Sequence, residues 1–164
     1  MISAVKKTLC IMIAIFVVLL SGCHKENERL IYEGMSFEEF QEKNPEDSYY
    51  RYFGGYLFTV NDEGDHIVAR LSDDATVISK VDCYEAESIN KADETFLKIE
   101  EGMTVNQVVS MVGIPEGSDT SGMVSLTFQS NSGSRYLVYW NAKETADGMN
   151  YVATSVLPLD TVKN

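Results

Sequence analysis

Ile31-Tyr-Glu-Gly-Met-Ser-Phe-Glu-Glu-Phe40 returns later in the chain as Ile99-Glu-Glu-Gly-Met-Thr-Val-Asn-Gln-Val108, and this repeat decides the fold. In each copy a Ser or Thr is followed three residues on by Glu or Gln: Ser36 with Glu39, and Thr104 with Gln107. That spacing is a capping box, in which hydroxyl and carboxylate or amide satisfy the open amide donors of a helix start. Met35 with Phe40, and Met103 with Val108, occupy the positions of a hydrophobic staple. Gly34 and Gly102 precede the staples, where a sharp entry turn wants glycine. The chain therefore reads as two copies of one small unit, each opening with a helix.

Both helices are predicted to be short, because Asn44-Pro45 and Gly113-Ile-Pro115 follow them and proline disfavours helix in the residue before it. The apolar period then changes to alternation. Tyr56 to Asn61 and His66 to Leu71 read as strands around Asp62-Glu-Gly-Asp65; Val124 to Gln129 and Arg135 to Trp140 read as strands around Ser130-Asn-Ser-Gly-Ser134. A third run closes each unit, Thr76 to Asp82 and Asn150 to Leu157, and Tyr49 to Phe53 adds a strand to the first. The expected fold is α+β, with two tandem helix-plus-antiparallel-sheet repeats and their sheets joined. The divisions are a signal at 1–22, a tether at 23–29, unit one at 30–83, a linker at 84–95 and unit two at 96–160.

Registering the copies assigns Phe58, Val60, Ile67, Ala69 and Leu71, with Leu126, Phe128, Tyr136, Val138 and Trp140, to the helix-facing core. Thr59, Val68 and Arg70, with Thr127, Leu137 and Tyr139, then share the opposite face. Such a mixed face suits binding or partial cover. Each unit alone has a size at which a single core is marginal.

Ahead of the repeats, Lys6 and Lys7 lead into an apolar run from Leu9 to Leu20 that ends at Ser21-Gly22-Cys23. This has the parts of a secretory signal and is too short to span a bilayer, which takes about 20 residues. Its end resembles the lipobox, which implies cleavage before Cys23 and lipidation of that cysteine. A thioether-linked diacylglycerol carries two acyl chains, enough for stable anchoring. The chain is thus expected to be exported and lipid-anchored, either to the outer face of the cell membrane or to the outer membrane.

The formal charge of −12 repels nucleic acid and anionic lipid, so no nucleic-acid partner is expected and the lipid must do the tethering. With Cys10 in the signal and Cys23 acylated, Cys83 has no intramolecular disulfide partner. Its place in Val81-Asp-Cys-Tyr84 suggests a buried, inert thiol.

No catalytic constellation emerges. Asn61-Asp-Glu-Gly-Asp65 is rich in oxygen ligands, but the matching Ser130–Ser134 loop shares only its glycine, so the common need is a hairpin turn and not a metal. His66 reads as a surface strand residue, and neither a nucleophile elbow nor a His-Glu-x-x-His pattern occurs. Glu38-Glu39 belongs to the helix start, where the dipole favours negative charge. Neither enzyme activity, metal nor cofactor is expected. Aromatics remain as the binding resource. Tyr139 and Arg70, at equivalent positions on the face away from the helices, are the leading contact candidates, followed by Tyr50 and Tyr52.

The Gly-Met-Ser/Thr start, followed in copy two by Val112-Gly-Ile-Pro115, resembles the small SmpA/OmlA (BamE-like) lipoproteins of outer-membrane assembly. The tandem arrangement is also similar to the beta-lactamase inhibitor protein family, in which two such units join their sheets into a concave surface that grips an enzyme. Lys43-Asn-Pro45 departs from the turn, and the cysteine pairs of the tandem inhibitors are missing. The resemblance implies a non-enzymatic lipoprotein that binds or inhibits an envelope or secreted protein through its sheet face. The alternative is an envelope ligand-binding or structural and assembly lipoprotein.

Overall fold

The computed structural model describes residues 31–45, 48–51, 53–118, 124–145 and 148–159. The signal, the tether with Cys23, and Tyr52 lie outside the described residues. Unit one runs α1 (Phe37–Lys43), β1 (Tyr49–Arg51), a 3-10 turn (Phe53–Gly55), β2 (Tyr56–Val60), β3 (His66–Leu71) and β4 (Ile78–Tyr84). A further 3-10 turn (Ala86–Ser88) and the short helix α2 (Asp93–Phe96) lead to unit two. That unit comprises α3 (Val105–Val112), β5 (Gly117–Ser118), β6 (Ser125–Gln129), β7 (Arg135–Thr145) and β8 (Gly148–Leu159). The fold is α+β, with two four-stranded antiparallel sheets, β1-β2-β3-β4 and β5-β6-β7-β8.

The repeat carries more than helix entry. Each Gly-Met-Ser/Thr segment pairs with the last strand of its own sheet. The Gly34 amide donates to Ile78 O at 2.8 Å and Ile78 N to Met35 O at 2.8 Å; Gly102 N donates to Ala153 O at 2.8 Å and Ala153 N to Met103 O at 2.7 Å. Ser36 bridges Val77 as Thr104 bridges Val152. Gly34 and Gly102 hold φ of 87° and 92°, which an L side chain resists, so glycine is needed where the segment leaves the sheet for the helix. The capping box is complete only in copy two, where Gln107 N donates to Thr104 Oγ1 at 3.2 Å and Thr104 N to Gln107 Oε1 at 2.8 Å. In copy one Ser36 Oγ accepts from Glu39 N at 3.1 Å, but the Glu39 carboxylate accepts from Tyr32 OH at 2.9 Å and pairs with Lys43 at 3.0 Å. The units even share an irregularity, a register shift at Arg70/Leu71 and again at Tyr139/Trp140.

The helices differ in what they bury. In α1 Phe40 is buried, packed edge-on against Tyr49 at 4.8 Å, and the charged residues face outward. In α3 Val105, Val108, Val109 and Val112 are all buried and only Gln107 is exposed. Helix α1 covers one face of the first sheet, over Leu57, Ala69, Leu71 and Ile78. The other face, Tyr56, Phe58 and Val68, packs into the same core as α3 and the inner face of the second sheet, Leu126, Phe128, Tyr136, Val138 and Trp140. The layers therefore run α1, first sheet, α3, second sheet. The sheets are joined through a helix between them, not by strand pairing.

Pairing corrects the face assignment of one strand. Leu57 pairs with Ala69 and Phe58 with Val68, so Phe58 faces α3, Thr59 turns to the α1 side, and Val60 is exposed at the strand end. Both hairpin loops span five residues, closed by Asn61 N to Asp65 O at 3.1 Å and Ser130 N to Ser134 O at 2.9 Å. Starting the first loop at Asp62 had shifted β2 by one residue, and a one-residue slip turns every side chain to the other face. In urea unfolding, Phe58→Ala is expected to cost about 3–5 kcal/mol through the cavity it leaves. Val60→Ala, at a position 45 % exposed, should stay within about 0.5 kcal/mol; a loss well above that, of the size expected for a core valine, would put Val60 back in the core.

Candidate functional site

The polar chemistry of the described residues gathers where the units meet. Strands β7 and β8 run on past β6, which pairs with β7 only as far as Tyr139. This extension reaches the first sheet. The Arg70 guanidinium donates from Nη1 to Asn150 Oδ1 at 2.8 Å and from Nη2 to Met149 O, and lies 5.8 Å from the Tyr56 ring centre. Tyr151 meets Tyr56 edge-on at 6.4 Å. Farther along the joint, Asn106 of α3 donates to Asp82 at 2.5 Å and to Tyr84 OH at 3.1 Å on β4. At the end of α3, Ile114 N donates to His66 Nδ1 at 2.9 Å.

The second hairpin loop is built around a carboxylate from the linker. Tyr136 OH donates to Asp93 Oδ1 at 2.8 Å, and hydrogen bonds from Ser130 and Ser132, then Tyr136, hold the Asp93 carboxyl below its ordinary range. A depressed aspartate stabilises the fold above its unfolded pKa, about 3.9, and that contribution is lost as pH falls through the lowered value. Burial, reinforced by Asp93, pushes the Tyr136 hydroxyl up. Asn131 N donates to Lys91 O at 2.8 Å and Thr95 is buried, just before Phe96 stacks on the Tyr136 ring at 4.3 Å, so the linker is packed against the second unit. In the first loop Asn61 Oδ1 accepts from the amides of Glu63 and Asp65, and Gly64 takes φ of 88°. That is the expected turn geometry.

The candidate contacts are not one surface. Tyr139 lies, half-buried, on the outer face of the second sheet, away from α3. Arg70 lies inside the joint, its guanidinium engaged by β8. Tyr50 pairs with Phe58 and so shares the α3-facing side of the first sheet, 46 % exposed on its edge strand. Two readings of single residues are corrected. His66 is buried, because the turn after α3 covers it, and Cys83 is exposed on β4, an edge strand that no further strand covers. Among the described residues no three His, Cys, Asp or Glu side chains come together as a metal group. Sequence reading missed Asn150 and Asn106, and, although it counted Tyr151 among the aromatics, it did not show that Tyr151 meets the first unit. The one local hint was the α3 sequence, Val-Asn-Gln-Val-Val-Ser-Met-Val, a helix without charge.

Gly54 and Gly34 separate backbone strain from contact across the joint. Both have positive φ, 60° and 87°, but a Cβ on Gly54 would overlap the Tyr151 ring, whereas one on Gly34 meets nothing within 4 Å. Gly34→Ala should cost about 1–2 kcal/mol for the left-handed backbone alone. Gly54→Ala should add a further ~1–3 kcal/mol for overpacking; equal losses by denaturant titration would mean that Tyr151 does not seal the joint.

No protein-family model, no curated protein and no solved structure matches this chain.

Proposed function

We propose that this protein is a membrane-tethered lipoprotein whose folded part is a non-enzymatic protein-binding or inhibitory module, and that its contact surface is the outer face of the second sheet. The observation that carries the reading is the layering. The first sheet has α1 on one face and α3 on the other, so neither face is open over its centre to a partner. The second sheet uses only its inner face for α3. Its outer face carries the half-buried Tyr139 and the exposed Gln129, Arg135, Ser155 and Leu157, the last 49 % exposed, around Ser125, Thr127 and Leu137, which are buried. A tyrosine and an exposed leucine rimmed by polar side chains have the composition of an interface centre. Arg70 leaves the contact set because β8 already holds it, and Tyr50 belongs to a different edge.

The tether rests on the basic, apolar and small-residue sequence ending at Cys23 and on its resemblance to a lipobox. No helix among the described residues is long and apolar enough to cross a membrane. Two acyl chains on Cys23 would supply the anchoring.

Two experiments test these readings separately. Cys23→Ser should abolish incorporation of a labelled fatty acid and release the protein from the membrane fraction; persistent label would remove the tether. Immobilised residues 24–164 should capture an envelope or secreted protein. Tyr139→Ala should lower that capture roughly 30-fold or more, the weight of an interface hot spot of at least about 2 kcal/mol, with the melting temperature unchanged. Equal capture by both would remove the contact face, and a melting shift with small envelope ligands but no captured protein would favour the ligand-binding alternative.

A further inference from the structure

We propose that His66 is an acid-released latch between the two units. The imidazole stands at the start of β3, 9 % exposed, and its Nδ1 accepts the Ile114 amide proton at 2.9 Å in the turn that ends α3. An accepting Nδ1 carries no proton, so the latched ring is the neutral tautomer with its proton on Nε2. Protonation places a second N–H on Nδ1, aimed at the N–H of Ile114. Two donors then face each other, and the hydrogen bond across the joint is lost.

The surroundings leave the charged ring little relief. A Cβ on Gly113 would stand 2.7 Å from His66 Cε1 and 3.0 Å from Lys91 Cε, so the ring sits where only a glycine leaves room for it. Gly113 also holds φ of 84°, which explains the glycine of the Val-Gly-Ile-Pro turn twice over. The charged neighbours are Lys91 from the linker, which opposes an imidazolium, and Asp65 from the adjacent loop, which favours one. Tyr84 is the paired residue on β4, and α3 itself contributes no titratable side chain. Burial first, then Lys91, hold the His66 pKa below its ordinary value of 6.5.

The sign follows from that depression. Above the unfolded histidine pKa, about 6.5, the latch contributes fully. As pH falls, the opened state takes up a proton before the closed state does, so the joint weakens down to the folded pKa and no further. Acid therefore loosens the first sheet from the end of α3 in a window that opens as pH falls below about 6.5.

The test is amide hydrogen exchange of Ile114 by NMR on the uniformly labelled protein, corrected for intrinsic rates, between pH 7.5 and 5. Wild-type protection should be constant above about pH 6.5 and then fall, by at most about tenfold per pH unit, while Val138, in the middle of the second sheet, keeps its own. His66→Asn, which offers an uncharged acceptor in place of Nδ1, should hold Ile114 protection across the range. Lys91→Gln, which leaves the ring in place and removes the opposing charge, should shrink the fall. A pH-independent Ile114 in wild type, the same fall in His66→Asn, or an unchanged fall in Lys91→Gln would overturn the latch.

Discussion

Everything else in this molecule depends on one helix being buried from both sides. Val105, Val108, Val109 and Val112 are each at most 1 % exposed. Burying a valine fully stabilises by about 1.5–3 kcal/mol relative to leaving it in water. Without α3 the first sheet would expose Tyr56, Phe58 and Val68, and the second would expose Leu126, Phe128, Val138 and Trp140. A unit of about 60 residues buries too little of its own surface to be comfortably stable. Sharing one helix lets two such units close one core.

The polar contacts follow from that arrangement. Because α3 lies against β4, Asn106 can serve Asp82 and Tyr84; because α3 ends over β3, the Ile114 amide finds His66. The β7–β8 extension then clasps the opposite side through Arg70 and Tyr151. These bonds satisfy groups that docking removes from water. The apolar layer drives the docking, and they fix its register.

Much of this was legible in the sequence, and what was not has a common cause. The repeat located both helices, both hairpins and the closing strands, because capping, staple and turn chemistry are local. It placed Ala69, Leu71, Leu126, Phe128, Val138 and Trp140 on the correct faces. Phe58, in the core as expected, was put on the Ala69 face because the first loop begins at Asn61, whose role as an acceptor of two amides cannot be read from composition. The burial of His66 and the engagement of Arg70 depend on pairings between units, and the serine cradle around Asp93 on contact between the linker and a loop distant in sequence, which no local pattern encodes. The uncharged α3 beside the Glu- and Lys-bearing α1 was the available signal that one helix is central and the other peripheral. Of the candidate contacts, Tyr139 lay on the face where the alternation put it, whereas Arg70 is engaged by a partner distant in sequence.

The most direct measurement of the shared-helix account is equilibrium urea unfolding read simultaneously in both units. Trp140, the single tryptophan and 3 % exposed, reports the second core by fluorescence. NMR amide intensities of Leu57 and Ala69 report the first sheet. If α3 serves both, the two probes should give one midpoint and one slope, because neither sheet keeps its core once the helix leaves. Two separated transitions, with the first sheet surviving after Trp140 is exposed or the reverse, would contradict the account and make the units independent domains.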